Sequence, residues 1–147
     1  MEHIPKVRAV AKTILLLLVV LLFQNCSSEK GHFTIYAIGD STMADKKPGK
    51  YPETGWCQVL GAYLDESITV ENHAMNGRSS KSFIEEGRWK AVRDSLKKGD
   101  YVFIQFGHND QKEYDSTRFT DPYGTYTENL EMFVNQTLLS QRWQQSC

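Results

Sequence analysis

The sequence predicts an α/β fold, a parallel sheet covered by helices on both faces, and three observations carry that expectation. Three short runs rich in β-branched and aromatic residues recur along the chain, and apolar residues at helical spacing lie between and after them. The order is β-α-β-α-β-loop-α, the alternation of an α/β domain. At 147 residues, 40% hydrophobic and 24% charged, the chain has the size and composition of one globular domain.

The elements follow in order. Phe33 to Ile38, ending at Gly39, reads as a mostly buried strand. Gly55 to Glu66 carries Trp56, Val59, Leu60, Tyr63 and Leu64 at the spacing of an amphipathic helix. Ser67 to Asn72 holds Ile68-Thr69-Val70, a short second strand. Ser82-x-x-Glu85 is a capping box for a helix with Phe83, Ile84, Trp89, Val92 and Leu96 on its apolar face. Gly87 predicts a kink or a late start within it, and Lys97-Lys98-Gly99 its end. Tyr101 to Phe106 is the third strand. Thr125-x-x-Glu128 is a second capping box, opening a helix with Leu130, Phe133, Val134 and Leu138 inward. There is no internal repeat.

The segment before the first strand predicts export. Lys6, Arg8 and Lys12 precede an apolar run from Ile14 to Phe23. As a helix those residues rise about 15 Å, half of the ~30 Å bilayer core, so the segment reads as a signal peptide over residues 1–25. Cys26, directly after the run and followed by Ser27 and Ser28, resembles a bacterial lipoprotein cleavage site. On that reading Cys26 is lipidated, becomes the mature N-terminus and gives the only membrane attachment. An ordinary secretory signal and a retained anchor are the other readings of the same run. The expected location is the bacterial cell envelope, with 26–32 as a short linker.

Beyond residue 25 the chain has fourteen Lys and Arg against seventeen Asp and Glu. This mild acidity excludes the basic footprint of a nucleic-acid protein. Cys26, Cys57 and Cys147 make no disulfide framework, and without a Cys-x-x-Cys no structural zinc is expected.

Ligands of open parallel sheets bind outside the carboxyl ends of the strands, and one motif follows each predicted strand. Gly39-Asp40-Ser41-Thr42 puts a serine hydroxyl after a turn that Gly39 can tighten. Asn72-His73-Ala74-Met75-Asn76-Gly77-Arg78-Ser79-Ser80 contains Gly77, whose N–H can approach a ligand closely. Gly107-His108-Asn109-Asp110 offers the Asn109 amide. A hydroxyl, a glycine N–H and an Asn amide at one rim form the layout of a nucleophile with its oxyanion hole. Each motif alone also reads as an ordinary turn or loop; their shared position after three strands separates them from chance.

These residues resemble the SGNH (GDSL) hydrolases. The block Thr34 to Asp45 is similar to the first motif of that family. Pro52 to Trp56, Asn72 to Ser80, Phe83 to Trp89 and Gly99 to Asp110 are similar to its rhamnogalacturonan acetylesterase subgroup. The resemblance covers 33–134 and implies a three-layer, flavodoxin-like fold. It implies Ser41 as nucleophile, with the Ser41 N–H, the Gly77 N–H and the Asn109 amide as oxyanion donors. It also implies chemistry without metal or cofactor, on acetyl esters of a pectin-type polysaccharide. The alternatives are an SGNH esterase for another ester, such as acetylated xylan or a lipid, and an inactive carbohydrate-binding remnant. Arg78, Arg88 and Trp89 could contact a sugar acid, although a solvated helix face accounts for the arginines equally well.

The resemblance further implies a catalytic Asp and His arranged as Asp-x-x-His near the C-terminus, and the chain contains no such motif. His73 reads as a structural loop residue. His108 lies beside the oxyanion donor rather than at the base position. Asp40 and Asp110 read as turn and hydrogen-bonding residues. Residues 135–147 do not match the family pattern. The expectation is a C-terminally truncated copy, frameshifted near Asn135, with little esterase activity of its own.

Overall fold

The seven residues of β1 (Phe33–Gly39) include Ile35, Tyr36, Ala37 and Ile38, none more than 5% exposed. A strand buried on both faces belongs at the centre of a parallel sheet. The computed structural model, which describes residues 31–143, has it there. β1 pairs in parallel with β2 (Ile68–Asn72) on one side and β3 (Tyr101–Gln105) on the other, giving the order β2-β1-β3. Ala37 lies opposite both Asn72 and Phe103, and Gly39 lies opposite Gln105. The three strands therefore end at one rim, and the order reverses across β1, which is where open α/β sheets bind ligands.

Strand alternation sorts the core into two layers. On one face Tyr36 and Ile38 pack with Phe83, Trp89, Val92, Leu96 and Phe133. These come from α2 (Ser80–Glu85), α3 (Arg88–Ser95) and α4 (Thr125–Trp143). Trp89 and Phe106 flank the Phe133 ring at centroid distances of 5.0 and 5.6 Å. On the other face Ala37 packs with Met43, Ala44, Cys57 and Ala74, beneath α1 (Trp56–Leu60). Helices thus cover both faces of the sheet, as the sequence predicts. Among the described residues no helix is long and apolar enough to cross a membrane. The 1–25 export segment, Cys26, most of the 26–32 linker and the last residues of the 135–147 tail lie outside the described residues.

Four local expectations are corrected. The helix expected over 55–66 is α-helical only for Trp56–Leu60, followed by a 3₁₀ turn over Gly61–Tyr63. Trp56, Val59 and Tyr63 are exposed rather than inward. The Trp56 N–H donates to Thr42 O at 3.1 Å, so the Ser41 turn fixes where this helix starts.

The second correction concerns the first capping box, which lies three residues earlier. Ser79 is the N-cap: its Oγ accepts from the Ser82 N–H, and Ser82 Oγ accepts from the Ser79 N–H. Gly87, at φ +72°, breaks this stretch into α2 and α3. Third, α3 ends at Ser95, two residues before Lys97-Lys98-Gly99. Fourth, Thr125 is the first residue of α4 rather than its cap, and its Oγ accepts from the Asp121 N–H at 3.0 Å. Phe133 is inward as expected. Val134 and Leu138 are about half exposed, because the described sheet ends at β3 and offers that stripe nothing to cover. The helix passes Asn135 without a break.

Candidate active site

The first motif is a tight turn packed against β3. The Asp40 N–H donates to Gln105 O at 3.2 Å. Asp40, 1% exposed, accepts on Oδ1 from the Thr42 N–H at 2.9 Å and from Gln105 Nε2 at 3.4 Å. A Cβ on Gly39 would lie 2.6 Å from Gln105 O and 3.0 Å from Met43 Sδ. Only glycine lets the two strand ends approach this closely. The result is Ser41, half-buried, at the carboxyl end of the central strand.

The second motif continues the β2 ladder beyond its last strand residue. The His73 N–H donates to Ala37 O and the Met75 N–H to Gly39 O, each at 2.9 Å. Asn72 donates through Nδ2 to Met43 O at 3.1 Å and to Asp45 Oδ1 at 2.6 Å, so the second motif grips the first. Gly77 then turns the chain at φ +77°, a conformation that side chains other than hydrogen resist.

The third motif is anchored by a buried carboxylate. Asp110 Oδ1 accepts from the Ser80 N–H at 2.9 Å, Ser80 Oγ at 2.5 Å and Thr120 Oγ1 at 3.1 Å; Oδ2 accepts from the Gly107 N–H at 3.0 Å. Asn129 Nδ2 of α4 donates in turn to Ser80 Oγ at 3.0 Å. Asn109, 2% exposed, donates through Nδ2 to Arg78 O at 3.0 Å and accepts on Oδ1 from Lys112 Nζ at 2.7 Å.

Lys46 closes the arrangement. Its ammonium donates to Ser41 O and, at 3.2 Å, to Asn76 Oδ1, and it pairs with Glu53 at 3.3 Å. Gly77 therefore sits between Asn76, tied through Lys46 to Ser41, and Arg78, tied to Asn109. Among the described residues, neither the Ser41 N–H nor the Gly77 N–H donates to a protein acceptor. One of the two Asn109 Nδ2 hydrogens is committed to Arg78 O.

The remaining candidates divide clearly. His73 Nε2 faces Glu71 at 3.3 Å, and its ring lies 5.9 Å from that of Tyr36. His108 is exposed at the rim. Trp89 is 3% exposed with Nε1 donating to Gln136 Oε1, so it is core and has no face for a sugar. Arg78 and Arg88 share Glu86, whose carboxyl is held below its ordinary range chiefly by the Arg88 hydrogen bond, with Arg78 adding to it and burial opposing. Among the described residues no group of His, Cys, Asp or Glu could hold a metal ion.

Three participants are not marked in the sequence. Lys46 looks like one of a solvated Lys46-Lys47 pair, yet its side chain is 6% exposed. Trp56 has helical spacing for a core, yet its Nε1 donates to Gln105 Oε1 at 2.7 Å, linking α1 to the rim. The Tyr126 hydroxyl donates to Phe106 O at 2.9 Å, and burial, then Asp110 and Asp40, push its pKa up. No periodicity marks these groups, because each is defined by a partner distant in sequence.

Comparison with known proteins bears on the family and the fold. The family described as GDSL-like Lipase/Acylhydrolase matches residues 35–142. A rhamnogalacturonan acetylesterase of Bacillus subtilis is 45% identical over 101 residues, covering 69% of this chain and 42% of the relative. A rhamnogalacturonan acetylesterase of Emericella nidulans is 49% identical over 79 residues, covering 52% of this chain and 28% of the relative. The crystal structure of the Bacillus subtilis protein YxiM superposes with a TM-score of 0.64 at 29% identity, covering 75% of this chain and 30% of the other. The chain spans less than half the length of the curated relatives it matches.

Proposed function

Because the chain belongs to the GDSL-like lipase/acylhydrolase family, we propose that it carries the acyl-transfer face of a serine esterase acting on acetyl esters of a pectin-type polysaccharide. The observation that carries the reading is the pair of unengaged N–H groups at Ser41 and Gly77, on two loops held together by Lys46. In this mechanism Ser41 Oγ attacks the acetyl carbonyl. The developing oxyanion receives hydrogen bonds from the Ser41 N–H, the Gly77 N–H and the second hydrogen of Asn109 Nδ2. Such donors stabilise charge that exists only in the transition state, and losing one typically costs on the order of 10²–10³ in rate. The base that takes the Ser41 proton returns it to the departing sugar oxygen, so the sugar leaves as an alcohol, and water then releases acetate from the serine ester. The rhamnogalacturonan acetylesterase relatives support an acetylated polysaccharide as the substrate.

A serine hydroxyl needs a base to take its proton, and the 147 residues contain no Asp-x-x-His. The proposal is that this chain supplies nucleophile and oxyanion donors but not the base. External imidazole tests both parts. The chain is expected to hydrolyse an aryl acetate slowly, and imidazole to raise the rate above its own background only when Ser41 is present. An identical imidazole response in Ser41→Ala overturns the nucleophile assignment; fast, Ser41-dependent hydrolysis without imidazole overturns the missing base. Export, with Cys26 lipidated, belongs to the same proposal and rests on the sequence of residues 1–26. Incorporation of labelled palmitate into the chain but not into Cys26→Ala tests it.

A further inference from the structure

We infer that the cleft bordering Gly77 on the α2 side is a subsite for an uncharged sugar ring adjoining the ester. The inference rests on the reading of Gly77 as part of the acyl site. The cleft encloses about 400 Å³, within the range of small-ligand sites, roughly 300–1,000 Å³. Its walls come from the second motif, from α2 and from the loop after the third motif. Gly77, Arg78, Glu85, Glu86, Asp115 and Arg118 are among its lining residues.

Its chemistry is that of a hydroxyl-binding site. Arg78 Nε is held by Glu86 at 3.0 Å, and its Nη1 donates to Asn76 O at 3.0 Å. Arg118 donates from Nε to Asp115 Oδ2 at 2.6 Å, and its Nη1 reaches Gly77 O at 3.5 Å. Both guanidinium planes are thus fixed before any ligand arrives, which lowers the entropy lost on binding. Guanidinium only donates, carboxylate only accepts, and a sugar hydroxyl does both. Glu85, exposed at the same cleft, adds acceptor oxygens.

The charge count selects the neutral ligand. Arg78 and Arg118, with Arg88 behind Glu86, face Glu85, Glu86 and Asp115, so the walls carry no net positive charge. An anionic sugar would meet guanidinium charge that these carboxylates already neutralise. It would also meet Asp115, whose Thr117 and Arg118 hydrogen bonds keep it ionised far into acid. The position fits as well. Arg118 reaches Gly77 O from the cleft wall, and Asn76, the residue before Gly77, connects through Lys46 to Ser41. A ring in the cleft therefore adjoins the loop that faces the acetyl group.

Calorimetric titration of the full chain with two pectin oligosaccharides of equal length, one fully methyl-esterified and one saponified, tests the inference. The methyl-esterified probe is expected to bind more tightly, with a Kd that changes less than twofold between 50 and 300 mM NaCl. Arg118→Gln and Glu85→Gln are each expected to weaken it at least fivefold, and Lys90→Gln, on the exposed face of α3, not at all. Among the described residues the Glu85 side chain has no bond to lose, so Glu85→Gln remains informative if Arg118→Gln unfolds. Tighter, salt-sensitive binding of the saponified probe overturns the inference, as does equal affinity of the Glu85 variant or no binding of either probe. The readout is binding rather than turnover, and an aryl acetate has no sugar to place in the cleft. The subsite and the esterase reading therefore fail separately.

Discussion

Replacing Asp110 by Asn should weaken the contact that holds the second and third motifs together. The carboxylate accepts four hydrogen bonds, three on Oδ1 and one on Oδ2, and the residue is 3% exposed. An amide can keep only one of these oxygens. In the cheaper orientation Nδ2 replaces Oδ2, the Gly107 N–H meets another donor, and the other three bonds lose their charge assistance. Hydrogen bonds to charged groups are worth about 1.5–3 kcal/mol, and an unsatisfied buried donor costs about 1–3 kcal/mol. A total near 3 kcal/mol follows, a large share of the ~5–15 kcal/mol that stabilises a domain. At about 4–8 °C per kcal/mol the melting temperature should fall by roughly 12–24 °C. Urea unfolding followed by tryptophan fluorescence gives the free energy. Amide exchange at Gly107 and Ser80 reports whether the loss is local. A change under about 0.5 kcal/mol, with Gly107 still protected, would refute the reasoning.

Three further outcomes follow from the same geometry. Gly39→Ala drives a methyl to 2.6 Å from Gln105 O and should cost about 2–3 kcal/mol, whereas Gly77→Ala, with 3.8 Å to its nearest neighbour, meets only left-handed strain of about 1 kcal/mol; equal losses on thermal unfolding would contradict this. The Cys57 thiol is pushed up to about 11, by burial first and Asp45 second. A thiol reagent at pH 8 should therefore react on the order of 100-fold more slowly with the folded chain than in urea, and the thiol's contribution to stability should decline as pH rises from about 9 to 11. The Asp115 carboxyl is held at about 2, by the Thr117 hydroxyl first and Arg118 next. Its folded value lies below its unfolded one, so the stabilisation is complete above about pH 4 and is lost as pH falls toward 2. An NMR titration of Asp115 with a midpoint near 4 would refute that assignment.

The sequence by itself determined the strands, their direction and the three motifs, because the central strand of a parallel sheet is buried on both faces and reads as a nearly continuous apolar run, and the ligand loops follow the strands. Phe33 to Gly39 satisfies that condition, and Gly39-Asp40-Ser41, Asn72 to Ser80 and Gly107 to Asp110 stand where it requires. Periodicity failed where a side chain's environment is made by distant residues. Trp56 and Tyr63 have core spacing yet lie outside, because the α-helix started by the Ser41 turn lasts only five residues and Tyr63 falls in the 3₁₀ turn after it. The capping box belongs to Ser79 rather than Ser82 because Asp110, thirty residues away, holds the Ser80 N–H. Lys46 turns inward because Ser41 O and Asn76 Oδ1 converge on it. Which polar groups touch depends on chain closure across the sheet. Only the tertiary structure could decide that Lys46, Asp110 and Asn109 hold the three motifs as one site.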